Sequence, residues 1–577
     1  MKNINFLFRY KFYILIAAII LLAAILRLIY LPILPNAING DELDYMLNAK
    51  AYFQTGKDIM GVTSPFSVLL FNYPPTGMPQ AELPYLLLMP LVGPFPFSLF
   101  ISRIIYALAS VATVFLLFLI SKKIFNLPTA LFCAFIAAIN PWYIFVGRTA
   151  YEAGLAVTFY LAGFYILLIT KKWHILWSFP FFLLGFYSYI GTKLIFLPFI
   201  LLCILYSFFV INKRKFTKQY LILFCISLFF VLSFLFLVRQ HTGASRISEI
   251  YTPSSLDITA QVDEARKTSI ITPLLPLYEN KITVYFRILA IHFFDIFSTS
   301  YLFISGDTFF SLWKIGLFYY LDALFLLLGF IFLFIENKRQ LLFIFLFILT
   351  GTIPQVFHEG LGNFTPHITL LFPFFILLIG TGIWHSILVI KRINKIWITS
   401  IIVATYFIFL LSFINIYFFE FPLQGYFDFP ARVLSNYITQ AQPSGRSIVI
   451  HTPSPKDAFK KYIYYSNGYS RNTAGAIKRA FETQHYILNN ISFVGCSHTL
   501  SNDKITIFNT NCNITFPRKH LTIARLSDTG GVYQIYNDAM CKRYSLKPYP
   551  SKIALSDFSL ETMNKEKFCQ TYIFLYN

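Results

Sequence analysis

The sequence predicts a polytopic α-helical membrane protein, with about 11 transmembrane helices and a C-terminal extracytoplasmic mixed α/β domain. Three observations carry this expectation. The 577 residues are 57% hydrophobic and only 13% charged, whereas a soluble domain is about a quarter charged. Apolar runs near the ~20 residues needed to cross a bilayer recur until residue 419 and then stop. The 67 Phe and 37 Tyr suit lipid-facing and interfacial surface. A net charge of +21 could indicate a nucleic-acid partner. The charges instead cluster in short connectors between apolar runs, as membrane orientation requires, so no nucleic acid is expected.

The amino terminus, MKNINFLFRYKF, is basic and leads into an apolar run at 12–31. That run is long for a signal peptide and lacks a small-residue cleavage site, so it reads as a retained anchor with a cytoplasmic amino end. Further spans are expected near 98–120, 127–146, 153–170, 174–190, 194–211, 219–238, 315–335, 341–357, 368–390 and 396–418. Lys122-Lys123, Lys171-Lys172, Lys213-Arg214-Lys215, Lys338-Arg339 and Lys391-Arg392 fall on alternate connectors, which assigns those connectors to the cytoplasm. Eleven spans then place the carboxyl end outside the plasma membrane, together with external loops 32–97 and 239–314. Segment 83–97 holds Pro84, Pro90, Pro94 and Pro96 and is unsuited to spanning. Segment 285–305 carries Arg287, His292 and Asp295 and reads as an interfacial helix. The expected organisation is a membrane domain over 1–419 and an extracytoplasmic domain over 420–577.

In the tail, 447–451 and 504–508 read as strands and 456–466 as a helix. Cys496, Cys512, Cys541 and Cys569 allow two disulfides on an oxidising side, with three possible pairings. No close CxxC or HxxH spacing suggests zinc, and neither a metal nor a cofactor is expected. Cys133, Cys203 and Cys225 lie inside spans and read as packing residues.

The chemistry concentrates at the outer ends of the helices. Asn39-Gly40-Asp41-Glu42-Leu43-Asp44-Tyr45 places three carboxylates within four positions, just after the first span. Charge so close to hydrocarbon is costly and often functional, although acids also favour the first turn of any helix. Asp41 and Glu42 should begin a short helix, with Asp41 and Tyr45 on one face. Arg103 lies inside the outer end of the second span, Arg148 closes the third and Glu152 opens the fourth. Lys193 stands between the fifth and sixth spans, and Arg239 ends the seventh. His358, Glu359 and His367 flank the loop between the ninth and tenth. Each has a plain explanation: snorkelling for Arg103, an i,i+4 pair for Arg148 and Glu152, or lipid contact for Lys193 and Arg239. Together they run against the orientation bias and suggest a site for an anionic, membrane-embedded substrate. Phosphate favours Arg and Lys partners, and a lone carboxylate beside a hydroxyl can act as general base. A sugar carried on a lipid phosphate fits both requirements, since its leaving group needs charge stabilisation more than a proton. No GxxxxGK[ST] loop suggests a nucleotide donor.

Read in order, these residues resemble the GT-C superfamily of polyprenyl-phosphate-sugar-dependent glycosyltransferases, nearest to the protein O-mannosyltransferase and aminoarabinose-transferase type. Arg27 precedes the acidic stretch. Tyr73-Pro74-Pro75, Ser102-Arg103, Asn140-Pro141-Trp142 through Arg148 to Glu152, and Tyr187-Ser188-Tyr189-Ile190-Gly191-Thr192-Lys193 follow. The resemblance implies an inverting transfer with Asp41 as the base and Glu42 in a supporting or acceptor-positioning role. It implies Arg103, with Arg148 or Lys193, at the donor phosphate, and Glu152 against the sugar or an arginine. Tyr45, Arg239 and His367 complete the candidate binding set. Tyr73-Pro74-Pro75 lacks the lysine that some relatives carry there. The implied partners are a polyprenyl-phosphate-linked sugar donor, a hydroxyl acceptor on a lipid, glycan or protein, and membrane lipids. Two other classes compete. A transporter or flippase of lipid-linked anions predicts polar groups through the membrane depth, whereas the expected spans are apolar there. A non-catalytic envelope protein predicts that Asp41 and Arg103 are dispensable and the tail is not.

Overall fold

The computed structural model describes every residue except 1, 63–80, 212–217, 243–254, 308–309, 313, 359–361, 391–393, 425–427, 515, 527–529, 548–552 and 577. Two compact units emerge. One comprises Met1–Arg27, Tyr106–Gly147 and Tyr151–Phe413, the other Leu28–Ile105, Arg148–Ala150 and Ile414–Asn577.

The first unit is helical. Among the described residues of the whole chain, eight helices are long and apolar enough to cross a membrane: Lys11–Leu28, Leu99–Ile124, Gly191–Ile211, Lys218–Leu237, Lys281–Ile304, Lys338–Val356, Thr365–Val389 and Lys395–Leu423. A ninth arises if Leu127–Ile139 and Pro141–Gly147, bent by 56° at Asn140, form one span. The bend has a local cause. Pro141 has no amide hydrogen and biases the residue before it to extended backbone, and Asn140 has φ −60° and ψ 129°. The multi-pass helical architecture agrees with the sequence. The expected spans at 153–170 and 315–335 are the 17-residue helices Ala153–Ile169 and Tyr320–Glu336. The one at 174–190 resolves into a 3-10 segment, Lys172–Trp177, and an 11-residue helix, Ser178–Ser188. Conversely, Lys281–Ile304 qualifies as a span by length and composition, where an interfacial helix was expected. Hydropathy alone marks where apolar residues lie, not where backbone hydrogen bonding breaks.

Two helices of this unit meet backbone to backbone. A Cβ on Gly329 would lie 2.0 Å from the Leu378 carbonyl oxygen, and one on Gly382 would lie 2.0 Å from that of Phe325. Small residues let spans approach this closely where no hydrophobic effect drives them together. Arg27 is fully buried in the same unit. Its guanidinium donates to Ser110 Oγ at 2.7 Å and to the carbonyls of Ala138 at 2.8 Å and Ala137 at 3.1 Å.

The second unit holds a seven-stranded mixed sheet in the order β2-β3-β1-β4-β6-β5-β7. The strands are β1 (Ile448–His451), β2 (Tyr486–Leu488), β3 (Ile491–Val494), β4 (Ile505–Asn509), β5 (His520–Ala524), β6 (Gly531–Tyr536) and β7 (Phe574–Tyr576). β1 runs parallel to β3 and β4 on either side, and the remaining pairs are antiparallel. β1 and β4 coincide with the two expected strands, and the Pro455–Tyr465 helix with the expected helix. Of the three possible cysteine pairings, the structure selects Cys496–Cys512 and Cys541–Cys569. Cys133 and Cys203 are buried, whereas Cys225 is exposed. The Gly40–Thr55 helix packs in this unit against the Leu83–Val92 helix and the Pro455–Tyr465 helix of the tail.

Candidate active site

The acidic stretch begins a helix, and the helix start decides what each carboxylate can do. Asn39 has extended backbone and caps Gly40–Thr55: its Oδ1 accepts from the Glu42 amide at 2.8 Å. The Glu42 carboxylate accepts in return from the Asn39 amide at 3.0 Å. This reciprocal capping box satisfies two otherwise orphaned amides. Glu42 is thereby turned inward and is fully buried.

Burial of that carboxylate demands a countercharge, and Arg103 supplies it. Arg103 Nε and Nη2 donate to the two Glu42 oxygens at 3.0 and 3.1 Å. Nη1 donates to the Pro35 carbonyl and Nη2 to that of Ala37, each at 2.7 Å. The Ala150 amide donates to Glu42 Oε1 at 2.5 Å. An ion pair with no exposed side-chain surface is tolerable when lone pairs and protons are satisfied in this way. Arg148 is also fully buried. It donates to Tyr417 Oη and to the Leu34 carbonyl, each at 3.2 Å, and stacks over the Tyr417 and Phe418 rings. Arg103 and Arg148, expected to face a donor phosphate, are thus engaged by protein groups and fix the segment leading into the helix. Tyr45 is buried too, with its hydroxyl accepting from the Ala81 amide at 3.2 Å.

Asp41 differs from its neighbour. Its side chain is exposed, and among the described residues nothing hydrogen-bonds its carboxylate. Desolvation first, then repulsion from Asp44 and from Glu42, pushes its carboxyl up to about 6, with the Lys460 ammonium opposing. Asp44 is raised by burial as well and forms an ion pair with Lys460. Burial first, then Lys460, holds the nearby Lys456 ammonium below its ordinary value, against the pull of Asp44.

The tail helix Pro455–Tyr465 therefore contributes directly to this site. Besides Lys456 and Lys460, its Tyr464 hydroxyl lies 2.8 Å from Ser102 Oγ, and its Tyr465 hydroxyl accepts from the Ile38 amide at 2.8 Å. Arg432, also from the tail, donates to the Asn36 carbonyl at 2.6 Å and to Glu561. Sequence reading missed these residues. The Asn39-x-x-Glu42 spacing and the i,i+4 pair Lys456 and Lys460 were available signals; their meeting was not.

The remaining candidates lie in the other unit. Glu152 precedes the Ala153–Ile169 helix and is partly buried. The Lys193 ammonium sits over the Phe186, Tyr187 and Phe234 rings, 5.0–5.9 Å from their centroids. His367 is buried beside His358, with ring centroids 4.7 Å apart. Arg239 falls in the Lys218–Thr242 helix, but its side chain, like Glu359 and Tyr73-Pro74-Pro75, lies outside the described residues. Among those residues, no group of three or more His, Cys, Asp and Glu could hold a metal ion.

No protein-family model matches the chain, and no curated protein sequence matches it. Solved structures do. An Archaeoglobus fulgidus oligosaccharyltransferase tethered to an acceptor peptide is similar over 79% of this chain, at 11% identity and TM-score 0.46; the match spans 63% of that protein's length. ArnT from Cupriavidus metallidurans bound to undecaprenyl phosphate is similar over 91% of this chain and 98% of its own, at 9% identity and TM-score 0.46. The archaeal oligosaccharyltransferase AglB from Archaeoglobus fulgidus, in complex with an inhibitory peptide and a dolichol-phosphate, is similar over 92% of this chain and 74% of its own, at 11% identity and TM-score 0.46.

Proposed function

We propose that this protein is a membrane glycosyltransferase that moves one sugar from a polyprenyl-phosphate carrier to a hydroxyl on a lipid, glycan or protein, at the outer face of the plasma membrane. The single observation that carries the proposal is the contrast within one helical turn. Glu42 is locked into a buried ion pair, while the adjacent Asp41 is open, without a hydrogen-bonding partner among the described residues, and poised at about 6. A carboxylate ionised at neutral pH and near the optimum for proton transfer suits general-base work.

In the proposed reaction, the acceptor oxygen attacks the anomeric carbon as its proton passes to Asp41. The bond from that carbon to the phosphate oxygen breaks, and the electron pair leaves with the lipid phosphate. Attack opposite the leaving group inverts the configuration. Glu42, Arg103 and Arg148 hold Asp41 in place from beneath rather than touching substrate. Lys456 and Lys460, the cations described beside Asp44 and Asp41, are assigned to the donor phosphate, where charge develops.

The test compares wild type with Asp41→Asn, purified at equal yield and thermal stability, using a labelled polyprenyl-phosphate sugar. The carboxamide keeps the shape but cannot accept the proton, so transfer falls by about 10²-fold or more. Equal turnover would remove Asp41 as the base.

A further inference from the structure

The tail contains a polar cavity whose residues have no part in the reaction above. It has a volume of about 180 Å³ and lies in the second unit. Thr452 and Ser454, from the loop after β1, line it together with Asn509 at the end of β4 and Asn511 in the turn that follows. Asp428, Asp457, Lys461 and Tyr533 complete the polar wall. β1 has parallel neighbours on both sides, β3 and β4, so the cavity opens beyond the carboxyl ends of two parallel strands. In open α/β sheets such crevices are where ligands bind.

The wall selects the ligand class. Lys461 Nζ lies 2.6 Å from Asp428 Oδ2 and 2.6 Å from Asp457 Oδ2. Two carboxylates against one ammonium leave a net charge of −1, which opposes phosphate. An ammonium fixed between the carboxylates opposes a divalent cation. Both carboxylates remain nearly half exposed, at 43% and 47%, and a carboxylate has about four acceptor positions. With two amides and three hydroxyls, the cavity offers many donors and acceptors at short range, the complement of a ring bearing several hydroxyls. Its volume of about 180 Å³ is below the ~300 Å³ at which pockets for drug-sized ligands begin, which limits the occupant to a small molecule such as a single ring. The loops are restrained: the Cys496–Cys512 disulfide anchors the residue after Asn511, and Pro453 and Pro455 flank Ser454.

We infer that this cavity is a binding site for a monosaccharide unit, distinct from the Asp41 site. One helix connects the two: Pro455–Tyr465 presents Lys456, Lys460 and Tyr464 toward the Gly40–Thr55 side and Asp457 and Lys461 toward the cavity. The inference does not depend on Asp41 being a base.

The test is ligand-observed NMR titration of the full-length protein in lipid nanodiscs with D-mannose, N-acetyl-D-glucosamine, inorganic phosphate and Ca²⁺. We expect at least one sugar to bind with a Kd of about 1–10 mM. Binding weakens by about tenfold or more in Asn511→Ala and Asp457→Asn, and is unchanged in Asp41→Asn. Thermal stability and disulfide mapping check that each variant is folded. Asn511→Ser, which offers a hydroxyl in place of the amide, should recover part of the affinity lost in Asn511→Ala. Absence of sugar binding to wild type, sugar binding that survives both cavity variants, sugar binding lost in Asp41→Asn, or displacement of the sugar by phosphate or Ca²⁺ would each overturn the inference. Loss of transfer in Asp41→Asn bears only on the proposed reaction, so the two ideas fail separately.

Discussion

The same device opens a helix in each unit, and the two copies differ in what they leave available. In Gly40–Thr55, the Glu42 carboxylate reaches back to the Asn39 amide. In Tyr320–Glu336, the Asp322 carboxylate reaches back to the Tyr319 amide at 2.8 Å. Asp322 Oδ1 accepts from the Tyr406 hydroxyl at 2.6 Å, so its burial rests on neutral donors. Glu42 is instead held by a guanidinium and a third amide. Only the first helix carries a second acid in that turn, Asp41. The difference teaches that a carboxylate's position in a helix does not assign its role; its unused lone pairs do. The Glu42 and Asp322 carboxylates are occupied by protein donors, whereas among the described residues nothing hydrogen-bonds that of Asp41.

The largest effect that would sharpen this contrast is expected at Glu42. Removing one member of a buried ion pair strands the other, so Glu42→Gln should lower stability by about 3–5 kcal/mol, read as thermal unfolding in detergent. Glu42→Gln with Arg103→Met should cost less than the sum of the single changes, because the two residues are coupled. Strict additivity would break the claim that they form one unit.

Asp41→Asn comes next, with the opposite signature: transfer falls by about 10²-fold or more and thermal stability is kept. A drop in stability matching that of Glu42→Gln would place Asp41 among the structural acids.

Asp322→Asn should cost about 1–3 kcal/mol of stability, the penalty for disturbing a buried hydrogen-bonded group. Turnover per folded molecule should stay within about twofold. A selective loss of turnover would make Asp322 more than structural.

The smallest effect concerns pH. The base must be ionised, so kcat/KM should fall as pH drops through about 6 and level off above it. Lys460 lowers the Asp41 pKa, so Lys460→Ala should move that limb upward. A limb that stays in place, or moves downward, would show that Lys460 does not act on Asp41 as the geometry implies.

Much of the architecture was legible because its causes are local. Apolar runs marked the helices, the fall in hydropathy after Phe419 marked the tail, and β1, β4 and the Pro455–Tyr465 helix lay where short periodic segments placed them. The bend at Asn140-Pro141 was present in the sequence as a proline, yet the run around it still looked like one span. At the site, the acidic cluster was visible and the resemblance gave Asp41 and Glu42 different roles, but the residues alone did not show that Glu42 is buried in an ion pair with Arg103. Arg103 and Arg148 looked like surface cations at a membrane boundary, and nothing nearby in the chain showed that both are buried.

What the sequence alone determined is therefore the class of molecule and the position of its acidic helix start. Chain length per bilayer crossing, helix capping and strand periodicity operate over a few residues and can be read along the chain. The tertiary structure decided which acid is buried in an ion pair, which arginines are engaged by protein groups, and that a tail helix brings Lys460 to Asp44 and Tyr464 to Ser102. Ion pairing and desolvation depend on distance through space, and residues hundreds of positions apart acquire that distance only when the chain has folded.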